Sequence, residues 1–500
     1  CFFDIEVDFD PEEGYSSPED AFTPITSISV YLDWMDQVIC IAVPPKTLNW
    51  TQAQEIAKKV GNTILFKNEA GMLDAFLSLI QDADVLSGWN SEGYDIPYTV
   101  NRIIKVLGKA ETRRLCLLDK NVVKREYIMY GKDTQTYDLV GRVHLDYLQL
   151  YRKYNYEERH SYRLDYIGEM EVGEKKVAYE GSLDKLYNHD FEMFLEYNIQ
   201  DTMLLKKIDD KLQFIDLASE IAHQNTVLLP VTMGAVQTID SAIINEAHRR
   251  KMIIPDRKRG KDSDNPWGHT VAGAYVAFPK KGIHQWIGSM DINSLYPSVI
   301  RALNMAPETV VGQLRQEYTN SEIKSSIQLD KKSFADAWAG KFGSNEYELV
   351  MSKDIDRPIV LDLEDGTEVN VTGGDVYNML FNSNEPWCIS ANGTIFRTDI
   401  QGVIPGLLAR WYSERQELQK KKKEATTPEE IAFWDKRQLV RKILLNSTYG
   451  AICNPGSRFF DHRIGQSTTL TGRAITRHMG AETNKMMTGQ YDHTGETIVY

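Results

Sequence analysis

Two acids, Asp4 and Glu6, interrupt the apolar run Phe2-Phe3-Asp4-Ile5-Glu6-Val7 at alternate positions. Successive side chains of a β-strand point to opposite faces. Both carboxylates therefore share one face, and Phe3, Ile5 and Val7 share the other. A sheet that covers both faces of such a strand must bury like charges, which is costly unless a cation compensates them. Either the acids sit on a solvated strand edge, or they seat a hard cation such as Mg²⁺, which takes oxygen ligands.

Two further segments bear on that choice. A long helix is expected over 190–217, with Phe194, Leu195, Met203, Leu204 and Ile208 on its core face. Tyr197 and Asp201 stand at i and i+4 and share a helix face. Trp89-Asn90-Ser91-Glu92-Gly93-Tyr94-Asp95 is rich in turn formers and ends in an acid. Taken singly, these read equally well as surface or capping residues. Taken together, Asp4, Glu6, Asp95 and Asp201 could surround two metal ions, with Tyr197 holding an attacking water. Such a pair of ions stabilises both the attacking and the leaving oxygen of a phosphodiester. Strands are also expected at 1–7 and 27–31, and a helix at 70–80.

The rest of the chain changes character. Residues 255–266 read as a polar loop, and 273–305 as two apolar, turn-bounded segments expected to be strands. Asp291 falls at the end of one, with Leu295, Tyr296 and Pro297 opening the next turn. Residues 306–400 carry no clear period. Helices are expected over 403–423 and 428–449, the second opened by Thr427-Pro428-Glu429-Glu430, a capping-box pattern. Lys442, Asn446 and Tyr449 follow at i, i+4 and i+7 on one helix face. An antiparallel pair would bring Arg415 and Lys442 to similar heights, roughly 14 and 18 Å from the turn. Two such cations could clamp a triphosphate. The alternative is an ordinary basic hairpin facing solvent, with Glu417 paired to Lys421.

Composition sets outer limits. Five hundred residues suggest about three domains. Fifty-seven basic and 71 acidic residues give a net charge of −14, which argues against coating a polyanion through the whole surface. A local basic groove remains compatible with it. The five cysteines are scattered without a C-x-x-C pair, so neither a disulfide framework nor a zinc knuckle is expected. No apolar run approaches the length of a membrane span.

In this order the acidic segments resemble the three motifs of the DEDD 3′–5′ exonucleases, in the tyrosine-bearing proofreading subtype. The middle motif usually has Phe before its Asp, and this chain has Tyr94. The string Ser289-Met290-Asp291-Ile292-Asn293-Ser294-Leu295-Tyr296-Pro297-Ser298 resembles the palm motif of family B DNA polymerases. Lys442-Ile443-Leu444-Leu445-Asn446-Ser447-Thr448-Tyr449-Gly450 resembles that family's fingers motif. Gly273-Ala274-Tyr275-Val276 and Thr469-Leu470-Thr471-Gly472-Arg473 are weaker matches to its template and primer contacts. Other segments, such as Asn304-Met305-Ala306-Pro307-Glu308-Thr309, most resemble the replicative polymerases of T-even-type bacteriophages.

The resemblance implies an α/β and α+β multidomain chain. A ribonuclease-H-like 3′–5′ exonuclease domain (1–225) would precede a palm in two parts (226–402 and 451–500), interrupted by helical-hairpin fingers (403–450). It implies catalytic and metal-binding roles for Asp4, Glu6, Asp95, Asp201 and Asp291, with Tyr197 catalytic. It assigns Leu295, Tyr296, Arg415, Lys442, Asn446 and Tyr449 to nucleotide binding, Tyr296 as a sugar gate. Phage members commonly carry a second basic residue where this chain has Gln419. Two Mg²⁺ per active site, with Mn²⁺ as a substitute, would serve as cofactors. Primer–template DNA, single-stranded 3′ ends and dNTPs would be partners, and a sliding clamp would dock through a C-terminus beyond Tyr500. A cytoplasmic location, in an infected bacterial host, is implied. The family's Tyr-Gly-Asp-Thr-Asp motif is expected to begin where this chain stops. The 500 residues alone are therefore expected to keep the exonuclease constellation and to lack nucleotidyl transfer. A stand-alone exonuclease would not need the nucleotide clamp, and a non-catalytic subunit would not need the carboxylates.

Overall fold

A computed structural model describes residues 1–129, 132–155, 157–179, 181–256, 273–276, 281–285, 287–314, 328–329, 331, 356 and 358–490. Positions 257–266 of the expected loop lie outside these residues. The chain divides into two units, Cys1–Ser219 with Leu228–Met233, and Glu220–Val227 with Gly234–Tyr500.

The first unit carries strands β1 (Phe2–Val7), β2 (Ile25–Leu32), β3 (Gln37–Ala42), β4 (Thr63–Leu65) and β5 (Val85–Gly88). A hairpin of β6 (Val123–Met129) and β7 (Lys132–Asp138) stands apart, and β8 (Val143–Asp146) returns to the main sheet. The sheet order is β4-β3-β2-β1-β5-β8. The β1–β2 and β2–β3 pairs are antiparallel, and β3–β4, β1–β5 and β5–β8 are parallel. Helices α1 (Trp50–Val60), α2 (Glu69–Leu79), α3 (Asp95–Val106), α4 (Tyr147–Tyr154), α5 (Leu164–Val172), α6 (Leu183–His189) and α7 (Phe191–Leu212) accompany it.

Both faces of the sheet are covered. Phe3 and Ile5 join a core with Met72 and Phe76 of α2 and Ile96 and Ile103 of α3. Cys40 and Ala42 of β3 pack with Phe194, Leu195 and Tyr197 of α7. All residues of β2 are buried, as expected of a strand covered on both sides. The β1–β2 register pairs Asp4 with Ser29 and Glu6 with Ser27. Residues directly opposite on an antiparallel pair share a face. The two small serines thus leave volume beside the acids, where α7 packs and Thr202 Oγ1 donates to Ser29 O at 3.4 Å.

The helix expected over 190–217 is divided. Asp190 caps α7 by accepting from Met193 N at 3.1 Å. Gln213 then takes a left-handed conformation (φ 53°), and α8 (Phe214–Asn225) follows. No Gly or Pro marks this break in the sequence.

His144 on β8 illustrates a buried polar contact with a measurable consequence. Its Nε2 lies 2.8 Å from Ser91 Oγ. Ser91 Oγ also reaches Gly88 O at 3.1 Å. Burial, with Arg125 nearby, lowers the His144 pKa from 6.5 to about 4. As pH falls, the unfolded chain takes up this proton before the folded one. Stability contributed by His144 is therefore intact above about 6.5 and lost as pH falls through about 4. Relative to His144→Gln, the wild-type protein should lose about 2 kcal/mol across that window, allowing for the ring's partial exposure. Denaturant midpoints of both proteins from pH 7 to pH 4 check this, and parallel pH profiles would refute it.

The second unit contains an antiparallel sheet where the sequence showed no period. Strands β9 (Val310–Leu314), β10 (Pro358–Leu363), β11 (Glu368–Thr372), β12 (Trp387–Ile389) and β13 (Thr394–Arg397) pair in the order β11-β10-β9-β13-β12. Leu314, Leu361 and Ile395 form its core with Val376. Helices α9 (Ala235–Arg249), α10 (Leu295–Ala302), α11 (Gly373–Tyr377), α12 (Val403–Glu424), α13 (Pro428–Ile452) and α14 (His462–Thr488) belong to the same unit.

Of the strands expected within 273–305, positions 277–280 and 286 lie outside the described residues, and the rest are corrected. Among the described residues, 287–292 form no strand, and the expected turn at Tyr296-Pro297 is the first turn of α10. Ser294 is left-handed (φ 52°) and Pro297 falls where helix N–H groups have no intrahelical partner, so the ring costs no hydrogen bond.

The helical pair α12 and α13 matches its expected bounds closely. Glu414 pairs with Arg441 at 2.5 Å, Lys422 with Asp435 at 2.7 Å, and Arg415 Nε donates to Gln438 at 3.4 Å. One helix ascends while the other descends, so the pair is antiparallel. Thr427 Oγ1 caps α13 by accepting from Glu430 N at 3.2 Å, but Glu430 reaches Thr426 N instead of closing the expected box. Lys421 lies 4.7 Å above the Trp434 ring, an aromatic contact in place of the expected pairing with Glu417. At the base, Glu246 of α9 pairs with Arg250 at 2.9 Å and with Arg410 of α12 at 2.6 Å.

Candidate functional site

The acids of β1 and α7 converge. One carboxylate oxygen each from Asp4, Glu6 and Asp201 lie within 4.8 Å of one another. Asp4 and Glu6 arrive from the sheet centre, and Asp201 from the second turn of α7 beyond Phe194. Asp201 is 1% exposed, and its Oδ1 is buried without a hydrogen-bond partner. Asp95, the first residue of α3, stands beside the trio and accepts from Ile5 N at 3.3 Å. Tyr197, one helical turn before Asp201, is buried at the same place.

The electrostatics follow from burial. It raises the Asp4 pKa well above the usual carboxylate range, with Glu6, Asp201 and Asp95 adding to the effect. Burial and Asp201 push Glu6 up to about 8, and burial pushes Asp95 up to about 7. Burial also raises Asp201, opposed by Lys176. The ionised cluster is thus short of positive charge.

Three further residues at the site carried little or no sequence signal. Lys176 Nζ donates to Tyr197 OH at 3.0 Å and bonds Asp201 Oδ2. Burial alone would lower the Lys176 pKa, but Asp201 and Asp4 raise it overall. It comes from an irregular segment, where no period predicts direction. Asn198 Nδ2 donates to Asp4 Oδ2 at 2.9 Å, and only its place next to Tyr197 hinted at this. Asp146, at the end of β8, holds the turn that leads to Asp95.

That turn leaves β5 at Gly88. A Cβ there would lie 2.8 Å from Ser91 Cβ and 2.9 Å from Phe3 O, so only glycine lets the turn fold back this closely. Beside the cluster lies a cavity of about 730 Å³, reached by Asp4 and Tyr197. Trp89, Tyr162 and Tyr179 line it with aromatic surface, and Arg163 and Lys175 with positive charge.

The second set of expected residues is only partly assembled. The rings of Tyr296 and Tyr449 lie 4.6 Å apart. Behind them Gly472 lets α14 approach, since an added Cβ would fall 3.0 Å from Tyr296 Cε1 and 3.7 Å from Leu295 Cδ2. Arg415 and Lys442 follow Glu414 and Arg441 on antiparallel helices, which sets them about 3 Å apart in height, while Asn446 is exposed. The two weaker motifs meet: Arg473 donates to Gly273 O at 3.5 Å, and the Arg477 guanidinium lies 5.2 Å from the Tyr275 ring centre. Asp291 is exposed, and among the described residues no three-ligand cluster forms around it.

A mixed α/β chain with a buried carboxylate cluster and a separate helical hairpin has known relatives. Residues 225–497 match DNA polymerase family B, and residues 1–167 match the exonuclease domain of that family. The chain belongs to DNA polymerase family B. The DNA-directed DNA polymerase of Escherichia phage RB69 is 27% identical over 99% of this chain and 56% of its own length. That of Enterobacteria phage T4 is 26% identical over 84% of this chain and 46% of its own length. The DNA polymerase delta catalytic subunit of Oryza sativa is 25% identical over 87% of this chain and 35% of its own length. The chain thus spans about half the length of the phage relatives it matches. Among the described residues, no helix is long and apolar enough to cross a membrane.

Proposed function

We propose that the first unit is a ribonuclease-H-like 3′–5′ exonuclease acting on single-stranded DNA ends. The observation that carries this reading is the trio Asp4, Glu6 and Asp201, with Asp201 Oδ1 buried and unbonded. A buried acceptor without a donor fits a divalent cation better than any neutral partner. Asp4, Glu6, Asp95 and Asp201 would hold Mg²⁺ or Mn²⁺. When bound, these ions would supply Lewis-acid stabilisation of the scissile phosphate and an acidified water. The sheet order, with its antiparallel β3-β2-β1 and parallel β1-β5-β8, supports the fold assignment.

The chain's own groups do the rest. Burial raises the Tyr197 pKa, so the phenol stays protonated at neutral pH. Lys176 holds its oxygen, leaving the hydroxyl placed to orient a water. Trp89, Tyr162 and Tyr179 offer stacking surfaces for unpaired bases, and Arg163 and Lys175 charge for the backbone. Such contacts read no base sequence. Incubating the protein with 5′-labelled single-stranded DNA and Mn²⁺ tests the reading. A ladder of 3′-shortened products is expected, and intact DNA would overturn it.

The second unit we read as palm and fingers of a DNA-directed DNA polymerase, with Asp291 a metal ligand once the site is assembled. Arg415 and Lys442 would bind the phosphates of an incoming dNTP. Leu295, Tyr296, Asn446 and Tyr449 would face its sugar and base. A charge-assisted hydrogen bond to phosphate contributes about 1.5–3 kcal/mol. Lys442→Ala should therefore weaken dNTP binding by roughly 10-fold or more, leaving primer–template binding within about twofold. Equilibrium titrations of each ligand check this, and equal losses would favour a solvent-facing basic hairpin.

A further inference from the structure

Asp95 is delivered to the cluster by a turn whose backbone and side chains are held by different partners. The segment Trp89–Tyr94 leaves β5 at Gly88, which lies beside Asp146 in the β5–β8 register. Asn90 is left-handed (φ 64°), and the turn closes on itself through Gly93 N and Tyr94 N to Asn90 O, each at 3.1 Å. Those bonds define the turn's shape, and its side chains are tied outward through Ser91 to His144 at 2.8 Å, Trp89 Nε1 to Tyr162 O at 3.1 Å and Glu92 to Arg125 at 2.6 Å.

Asp146 holds the turn's backbone. Its Oδ1 accepts from Asn90 N at 3.1 Å, and its Oδ2 accepts from Glu92 N at 3.1 Å. The same Oδ1 accepts from Leu148 N at 2.9 Å, capping α4. The side chain is 4% exposed, and among the described ion pairs it has no cation. A buried carboxylate without a counter-charge is expensive to keep. Burial accordingly raises its pKa to about 6. Capping one helix does not demand this, because a serine caps as well. Both oxygens are engaged by the turn, one at Asn90 N and the other at Glu92 N, beyond what the α4 cap takes.

We infer that Asp146 is a positioning residue of the carboxylate site, a two-oxygen latch that sets where the Trp89–Tyr94 turn delivers Asp95. The inference rests on the reading of the cluster as a divalent-cation site. From the same turn, Trp89 and Asn90 reach the neighbouring cavity, so one latch also sets a wall of the strand-binding surface. Residues that orient metal ligands from behind typically change metal affinity or activity by about 10- to 100-fold.

Asp146→Ser separates the two duties of the side chain. Serine keeps the α4 cap and gives up the paired acceptors for Asn90 and Glu92. In the full 500-residue chain, Mn²⁺ affinity by calorimetry should fall about 10-fold or more. Amide hydrogen exchange at Asn90 and Glu92 should accelerate, while β5 and β1 stay protected. Asp146→Asn keeps one acceptor oxygen, and an intermediate affinity is expected. If the serine variant does not melt cooperatively, the asparagine variant carries the comparison. Unchanged Mn²⁺ affinity in a folded variant with faster exchange at Asn90 would overturn the positioning role. Lower thermal stability with unchanged affinity would do the same, leaving Asp146 a helix cap only. Wild-type protein that binds no Mn²⁺ would instead overturn the reading of the cluster itself.

Discussion

Asp201→Ala should abolish shortening of 5′-labelled single-stranded DNA, lowering the rate by about 10³-fold. Stabilisation of a reacting phosphate by a bound cation amounts to several kcal/mol, and each 1.36 kcal/mol is tenfold in rate. Asp201 is the cluster's one ligand from α7, and its Oδ1 is buried without a hydrogen-bond partner. Its removal also frees Lys176 from its buried partner, so the ammonium would face Asp4 and the cavity. That change adds positive charge near the substrate and should preserve DNA binding. The expected signature is therefore a lost rate with little loss of affinity, read from single-turnover digestion against DNA concentration. A residual rate within tenfold of wild type would sink the assignment of Asp201 as a ligand.

The second large effect concerns stability. Four carboxylates, Asp4, Glu6, Asp95 and Asp201, meet one ammonium, Lys176, in a covered site. Without a metal ion this excess of negative charge opposes folding. Mn²⁺ at about 100 times its Kd should stabilise the protein by about 2.7 kcal/mol. For a unit of this size that is roughly 5–10 °C in Tm. Glu6→Gln should reverse the pattern. Removing one buried like charge should raise the metal-free stability by about 1 kcal/mol or more, while most of the response to Mn²⁺ disappears. Thermal melts of both proteins, with EDTA and with Mn²⁺, check both signs. A metal-free Glu6→Gln protein less stable than wild type would contradict the charge argument.

What could be read from the chain beforehand follows the physics of each element. The alternation of β1 was plain, because Phe3 and Ile5 needed a core and the acids between them could not enter it. The run around Tyr197 was plain for the same reason, with a 3.6-residue period in place of two. Lys176 was hidden because an irregular segment imposes no direction on its side chains. Asp146 was hidden because its partners are backbone N–H groups, which every sequence has. The five-stranded sheet escaped notice since its strands are short and only partly buried, as at Trp387–Ile389. The first turn of α10 was misread because Pro297 signals a turn anywhere except at a helix start. Gln213 broke a helix without any residue that announces a break.

The serines opposite the acids bear on how such a site could be moved elsewhere. Ser27 and Ser29 lie across from Glu6 and Asp4, and both are fully buried. Valine or isoleucine at either place would suit a central strand better by propensity, yet would fill the space that Asn198 and Asp201 now enter. Grafting two acids onto a foreign strand would therefore fail unless the neighbouring strand were hollowed out as well. The transferable unit is a pair of strands with one side carved away, and the carboxylates are its contents.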